Sequence, residues 1–522
     1  MGERATACWL LLLCATGLPA CGPRPVLDPG PAIAATADLA SADALVRRGS
    51  YASLQDALAI YERLAATGGA PVAELRAIDT ALLLALRERE LGLASGRSLE
   101  RAVELASRQP PLYDISVFLS LAESQPWHPG GVAKERQDSQ LPSLRLMLKS
   151  WPAWRASLES GAERDPLKAY FLLALDCTRR TYQGDGEVLP WAPPDGAPPL
   201  VRFRAAVCPR MVDEAILEAL AKNDPGFAET HLFLGEQALG NLTLRTAEKH
   251  LGEAVKAMPE LPPAWLLLGH VHLAIEEPDL ARDAYHRVNI AVPGQREAML
   301  GEAKSLSYLG RHGEAIAILD EVERLGTWYM GDMYYWRAWN RHRLTQDDAA
   351  NDDVLASRQR MPMDPKVDSL AGFIALARQE VERAEGEFRL AVQHYEGRGE
   401  RDCDSGYYLA STLVMQRKWA EAAPFFERAE PCYALDEKAV RQRIATIRAS
   451  DLPDDRQDRL VAAKERDILK LRLQQARSCY NAAVAHANLG EPAKARPFAE
   501  RAAMHPEMKS LADQLLARLG PS

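Results

Sequence analysis

From Leu234-Gly235 onward the sequence returns to one pattern every 34 residues, and this return constrains the fold more than any other feature. After Gly235 come Ala247, Leu251, Ala254 and Pro259; 34 positions on, Gly269 is followed by Ala281, Tyr285 and Pro293, with Trp265 and Leu268 ahead of it. Weaker copies stay in phase: Ala303, Ala315 and Leu319; Ala338, Ala350, Val354 and Pro362; Gly372, Ala384, Phe388 and Ala391; Leu409-Ala410, Ala422, Phe426 and Ala429. A last copy carries Tyr480, Ala483, Ala495, Ala502 and Pro506. Apolar residues three and four apart make each half of the unit a helix with one buried face. Closely crossing helices need a side chain of a methyl or less at the contact, which places Gly235 against Ala247 and Gly269 against Ala281. Bulkier residues such as Tyr285 and Phe388 then fill the gap to the next pair, and the proline ends the second helix. One pair cannot bury its own apolar face, so the fold is expected to be an array of stacked pairs.

The landmarks Trp265, Leu268-Gly269, Ala281, Tyr285 and Pro293 resemble the tetratricopeptide repeat. The resemblance runs from Phe227 to His505 and implies an all-α fold, a right-handed superhelical solenoid of antiparallel helix pairs. It divides the chain into an array of about six repeats over residues 227–436, a charged helical insertion over 437–475 with Leu460, Ile468, Leu471 and Leu473 that interrupts the array or prolongs the first helix of the last repeat, and a C-terminal repeat and cap over 476–522. Residues 51–226 read as helical, either degenerate repeats or a helical domain stacked on the array. Ala57, Tyr61 and Leu64 mark one second-helix face there, and Tyr170 to Leu175 a first helix, before the proline-rich stretch Gly184 to Pro199.

At the N-terminus Arg4 precedes the apolar run Cys8-Trp9-Leu10-Leu11-Leu12-Leu13-Cys14, too short to span a bilayer. It leads to Leu18-Pro19-Ala20-Cys21, which resembles the lipobox of bacterial lipoproteins. That resemblance implies a signal peptide over residues 1–20, acylation of Cys21 and, from Gly22, sorting to the outer membrane with the body facing the periplasm. A plain secretory signal cut nearby is the alternative. Residues 21–50, rich in proline, glycine and alanine (Pro23, Pro25, Pro29, Gly30, Pro31), read as a flexible tether. The 63 basic and 72 acidic residues leave a formal charge of −9, without the basic excess that displaces counterions from nucleic acid. Nucleic acid is therefore not an expected partner.

Export places Cys177, Cys208, Cys403, Cys432 and Cys479 in an oxidising compartment, and none stands at C-x-x-C spacing, so structural disulfides are expected. Cys177 and Cys208 flank the proline-rich loop. Cys403 opens a first helix and Cys432 closes its partner, with Cys479 competing for Cys432.

The sequence holds no P-loop, G-x-S-x-G, H-E-x-x-H or dinucleotide fingerprint, so no enzyme, cofactor or metal is expected. Gly184-Asp185-Gly186-Glu187 reads as a loop turn, and His270 and His272, two apart on one helix, point in different directions. The family resemblance implies a concave groove lined by first-helix residues at fixed repeat positions. Those positions hold Asp332, Tyr335, Trp339, His342 and Arg343, with Lys304 and Tyr308 from the preceding repeat and Phe373 from the following one. Aromatic rings and arginine carry binding energy well, while core packing is the competing role for neighbours such as Tyr334 and Trp336. The Lys and Asn of the carboxylate-clamp members are replaced by Leu232 and Glu236, Leu266 and His270, and Tyr335 and Trp339. The expected function is a lipid-anchored envelope scaffold that docks proteins of a secretion, pilus, gliding-motility or outer-membrane assembly machine. The alternative is a periplasmic polysaccharide or peptidoglycan binding module, since Tyr335 and Trp339 would also stack on sugar rings.

Overall fold

The computed structural model describes residues 33–66, 71–91, 93, 97–107, 151–183, 190–208, 212–326, 331–450 and 452–520. Residues 1–20, Cys21 and the Gly184-Asp185-Gly186-Glu187 turn lie outside the described residues. The described residues contain helices and turns and no strand, so the fold is an all-α helical solenoid. The chain resolves into two compact units, residues 1–305 and 306–522.

The repeat is visible in the backbone as well as in the side chains. Leu242, Glu276, Gly310, Thr345 and Gln379 all have positive φ, and their spacings are 34, 34, 35 and 34 residues. Arg417 and Gly490 continue the series. Each sits between the two helices of a pair, where a left-handed residue turns the chain back on itself. The amide that follows each one donates to the carbonyl five residues earlier: Thr243 to Ala238, Glu277 to His272, Gln346 to Arg341 and Glu491 to His486, at 2.8–3.0 Å. Only two of these seven positions are glycine, so the chain accepts a left-handed side chain at most turns to keep the pair closed.

In the first unit, helices Ala228–Gly240 and Leu244–Ala257 form one pair and Pro262–Ala274 and Pro278–Ala291 the next. The close contact at each glycine lies one helical turn beyond the expected alanine. A Cβ on Gly235 would meet Leu251 Cγ at 2.5 Å, and one on Gly269 would meet Tyr285 Cε1 at 2.6 Å. The reason is reach: the small Ala247 and Ala281 let the helices approach, and the larger residue one turn on then occupies the space above the glycine. Upstream, Ala57, Tyr61 and Leu64 form the buried face of helix Tyr51–Ala66, and Tyr170 to Leu175 are buried in helix Pro166–Gln183. Ala57, Tyr61 and Tyr170 to Leu175 share one core with Leu232, Leu251 and Leu267. Within that half, Arg87 is buried with Glu229, 3.2 Å from its carboxylate, and lies 4.3 Å over the Phe203 ring while donating to the Gly49 carbonyl.

Two sequence-based boundaries need correction. The segment read as a tether, residues 21–50, is helical from Ile33 to Arg48, with Ala42 and Val46 in the core. Its alanines and Leu39, Ala42, Leu45 and Val46 give it helix propensity and an apolar face that proline and glycine counts do not register. The segment read as a charged helical insertion, residues 437–475, is helical and prolongs the first helix of the last repeat, but it does not interrupt the pairing. It is the end of a 30-residue helix, Trp419–Arg448, and the start of a 35-residue helix, Asp454–Asn488. The two run antiparallel, joined by Val440, Ile444, Ile447, Val461 and Ile468 and by Arg472 donating to Glu437 at 3.0 Å. Apart from the buried Lys464, most charges of this stretch lie on the outer faces of two overlong paired helices.

Cys177 bonds Cys208 and Cys403 bonds Cys432, with Cα separations of 5.5 and 5.7 Å. Cys479 does not compete for Cys432: it is buried with Ala502 and Ala512, and burial pushes its thiol pKa up to about 11.

Candidate binding surface

The second unit carries most of the residues expected to line a groove. On helix Gly331–Arg343 the repeat places small Ala338 at the crossing point, and this fixes which neighbours face in. Tyr335 and Trp339 rest half-buried on a core of Ala338, Ala350, Val354 and Val367. Burial, with Tyr395 and Tyr308 nearby, raises the Tyr335 phenol above its ordinary range, so it stays a neutral hydrogen-bonding group. His342 Nδ1 lies 2.7 Å from Asp347 Oδ1 and is thereby tied to its own interhelical turn. Arg343 and Asp332 are exposed.

Tyr308, from the end of helix Arg296–Tyr308, is 64% exposed. Its ring stands edge-on to Trp336 at 5.4 Å, and Trp336 stands edge-on to Tyr335 at 5.5 Å. Trp336 thus joins two of the expected contacts into one aromatic surface, a role that the sequence left as core packing. Tyr334 is a core residue: it is buried, and its hydroxyl donates to Glu323 at 3.0 Å.

Phe373 belongs to a second aromatic set, 5.2 Å from Phe388 and 4.7 Å from Tyr408. Tyr407 extends that set at 5.4 Å from Tyr408, and its hydroxyl accepts from Asn481 at 2.9 Å. Neither Tyr407 nor Tyr408 was singled out from sequence, although both follow the opening of a first helix at Cys403. Lys304 belongs to the first unit. There its charge and, above all, burial lower the His270 pKa to about 4, while burial raises that of Glu297, 3.4 Å from His270. His270 and His272 do point to different partners: His272 faces Glu248 and Glu277.

The residue most clearly missed is Arg337. It occupies the place that Leu234, Leu268 and Leu409 hold in other repeats, one before the small crossing residue, and it is buried. Asp353, also buried, accepts from it at 2.8 Å, Asp320 accepts at 2.8 Å, Glu323 accepts from the same guanidinium, and Arg341 donates to Asp353 at 2.8 Å. A charged residue at a leucine position was the available signal. The arrangement is a structural clamp that fixes the helix bearing Tyr335, Trp336 and Trp339.

Two concavities accompany these surfaces. The first unit has a cavity of about 1080 Å³ bordered by Tyr51, Glu88, Arg97, Ser98, Glu229 and Met258. The second has a smaller cleft of about 350 Å³ between Tyr395, Asp402, Gly406, Phe425 and Leu435, beside the Cys403–Cys432 bond. Both have a mixed polar and apolar lining.

No family model matches the sequence, and no curated protein matches it. Among solved structures, similarity extends to PilW, described as a widely conserved type IV pilus biogenesis factor, at 14% identity, with a TM-score of 0.36 and coverage of 39% of this chain and 92% of that one. PilF of Pseudomonas aeruginosa is similar at 16% identity, with a TM-score of 0.35 and coverage of 40% and 92%. YrrB, described as a TPR protein with an unusual peptide-binding site, is similar at 14% identity, with a TM-score of 0.31 and coverage of 35% and 93%.

Proposed function

We propose that this chain, a tetratricopeptide-type helical repeat protein that binds other proteins, works as a lipid-anchored scaffold of the bacterial cell envelope. Leu18-Pro19-Ala20-Cys21 supports acylation at Cys21, and Gly22 supports outer-membrane sorting with the repeats facing the periplasm. Several acyl chains hold such an anchor stably, since each buried methylene contributes about 0.8 kcal/mol. The two disulfides suit an oxidising compartment.

The observation that carries the binding role is the edge-on ladder Tyr308–Trp336–Tyr335, exposed at Tyr308 and braced from behind by the Arg337 clamp. Rigid aromatic rings held in place lose little entropy on binding and bury a large area, which favours a protein partner. The partners are envelope proteins of a secretion, pilus, gliding-motility or outer-membrane assembly machine.

Affinity purification from detergent-solubilised envelopes, with mass spectrometry of the bound material, tests both parts. Defined envelope proteins should co-purify with the native chain and be depleted at least about tenfold with Tyr308→Ala/Trp336→Ala. Cys21→Ser should move the chain to the soluble fraction while keeping its direct partners. Recovery of glycan instead of protein, lost in the same aromatic variant, would replace the scaffold with a polysaccharide-binding module.

A further inference from the structure

We infer that Glu248, His272 and Glu277 form a binding site for a divalent transition-metal ion of the zinc class in the first unit. The repeat itself brings the three together. Glu248 follows the crossing residue Ala247 on helix Leu244–Ala257, and His272 lies in the last turn of helix Pro262–Ala274. Glu277 caps helix Pro278–Ala291. Between His272 and Glu277 the left-handed Glu276 and the bond from Glu277 N to His272 O close the turn, which sets the acid beside the imidazole.

The geometry is that of a ligand set. Glu248 Oε1 lies 3.8 Å and Glu277 Oε2 3.6 Å from the same nitrogen, His272 Nδ1, and the three ligand atoms lie within 4.8 Å of one another. Both separations exceed hydrogen-bond reach. Nδ1 makes no hydrogen bond, and His272 is only 9% exposed, so a buried polar atom is aimed between two carboxylates. Ligands at 2.0–2.2 Å around a tetrahedral ion stand about 3.4 Å apart, so the two contacts to the imidazole nitrogen need to shorten by only a few tenths of an ångström, the carboxylates close on the ion by side-chain rotation, and water supplies the fourth position. Arg245 donates to the other oxygen of Glu248 at 2.9 Å, which fixes the orientation of that carboxylate in the way outer ligands do at metal sites.

A second histidine in the same repeat position shows what a self-sufficient cluster looks like. His486 also precedes the acid of its turn by five residues, but its Nδ1 lies 2.7 Å from Glu491 Oε2 and its Nε2 lies 2.6 Å from Glu427 Oε1. Each nitrogen there has its own carboxylate. At His272 two carboxylates converge on one nitrogen, which can serve at most one of them through a proton. A dication satisfies all three groups and balances two negative charges. Bound there, it would cross-link the second helix of one repeat to both helices of the next.

The test is zinc binding by the full chain, purified in detergent and stripped with EDTA, measured by calorimetry, with cobalt absorption as a probe of ligand type. One Zn²⁺ per chain is expected with a dissociation constant in the micromolar range or below, and a Co²⁺ form without a thiolate charge-transfer band, since no cysteine takes part. His272→Gln and, separately, Glu248→Gln should each weaken binding by at least about tenfold with unchanged helical circular dichroism. His486→Gln should bind as the native chain does. Absence of stoichiometric zinc binding, native affinity in His272→Gln, or a thiolate band in the Co²⁺ form would each overturn the assignment.

Discussion

The repeats at Pro262–Ala291 and Gly331–Arg360 share a backbone plan and are held together by opposite means. In the first, Leu266, Leu267 and Leu268 are buried and the Tyr285 ring, 1% exposed, lies against the bare backbone of Gly269. In the second, the position of Leu268 is taken by Arg337, which is buried against Asp353 and reaches Asp320 and Glu323. The backbone turn is the same in both, with Glu276 and Thr345 left-handed at the matching place. The spacing of small residues and the turn therefore define the repeat, while the filling between helices is free to be apolar or ionic. The ionic filling has a price in desolvation, and it gives the helix that presents Tyr335 and Trp336 a directional lock instead of a greasy one.

This contrast can be broken most strongly at Tyr285. Tyr285→Ala should cost about 3–5 kcal/mol, because the void above Gly269 cannot collapse, read as a lower urea midpoint with exchange of backbone amides concentrated in Pro262–Ala291. A loss near 1 kcal/mol would show that the ring is not the keystone of that repeat. On the ionic side, Asp353→Asn should cost about 2–4 kcal/mol by leaving Arg337 under-compensated, and Arg337→Leu/Asp353→Ala should recover at least half of that loss. If the double variant were as unstable as the single, the buried pair would be a net source of stability and the two repeats would differ more deeply than in their filling.

Smaller effects sharpen the comparison. Gly269→Ala should destabilise by about 1–3 kcal/mol, since the new methyl meets the Tyr285 ring, whereas Ala338 already occupies the same place in the ionic repeat. The hydrogen bond from Arg337 holds the Glu323 carboxyl below its ordinary pKa, despite some burial. A lowered carboxylate contributes stability above its unfolded value, about 4.3, and loses it as the pH falls through the folded value. Acid titration of Glu323→Gln should accordingly show a flatter loss of stability below that point than the native chain. Least of all, Thr345→Gly should gain up to about 1 kcal/mol, because a β-branched residue is held at positive φ there; differential scanning calorimetry would read this as a small rise in Tm.

The fold was legible because its cause is periodic. Gly235, Gly269, Ala247, Ala281 and Tyr285 recur at a fixed interval for a steric reason, and an interval can be counted in a sequence. The aromatic candidates Tyr308, Tyr335, Trp339 and Phe373 followed from the same register. Their division into exposed and half-buried did not, since Tyr308 projects at a helix end while Phe373 is enclosed by Phe388 and Tyr408, residues of two other helices. Trp336 shows the same limit: its role depends on a ring that sits 28 residues earlier in the chain.

By itself, then, the sequence determined that the chain is helical, that from Phe227 on its helices come in pairs marked by recurring small residues, and which face of each pair is apolar, because these properties follow from local spacing. Only the tertiary structure decided that residues 33–48 join the body, that 437–475 are paired helices, that Arg337 is locked by Asp353, and that His272 faces two carboxylates where His486 is satisfied by two of its own. Each of these depends on which atoms of distant residues come within a few ångströms of each other, and that distance is set by how helix is laid on helix, which no local pattern records.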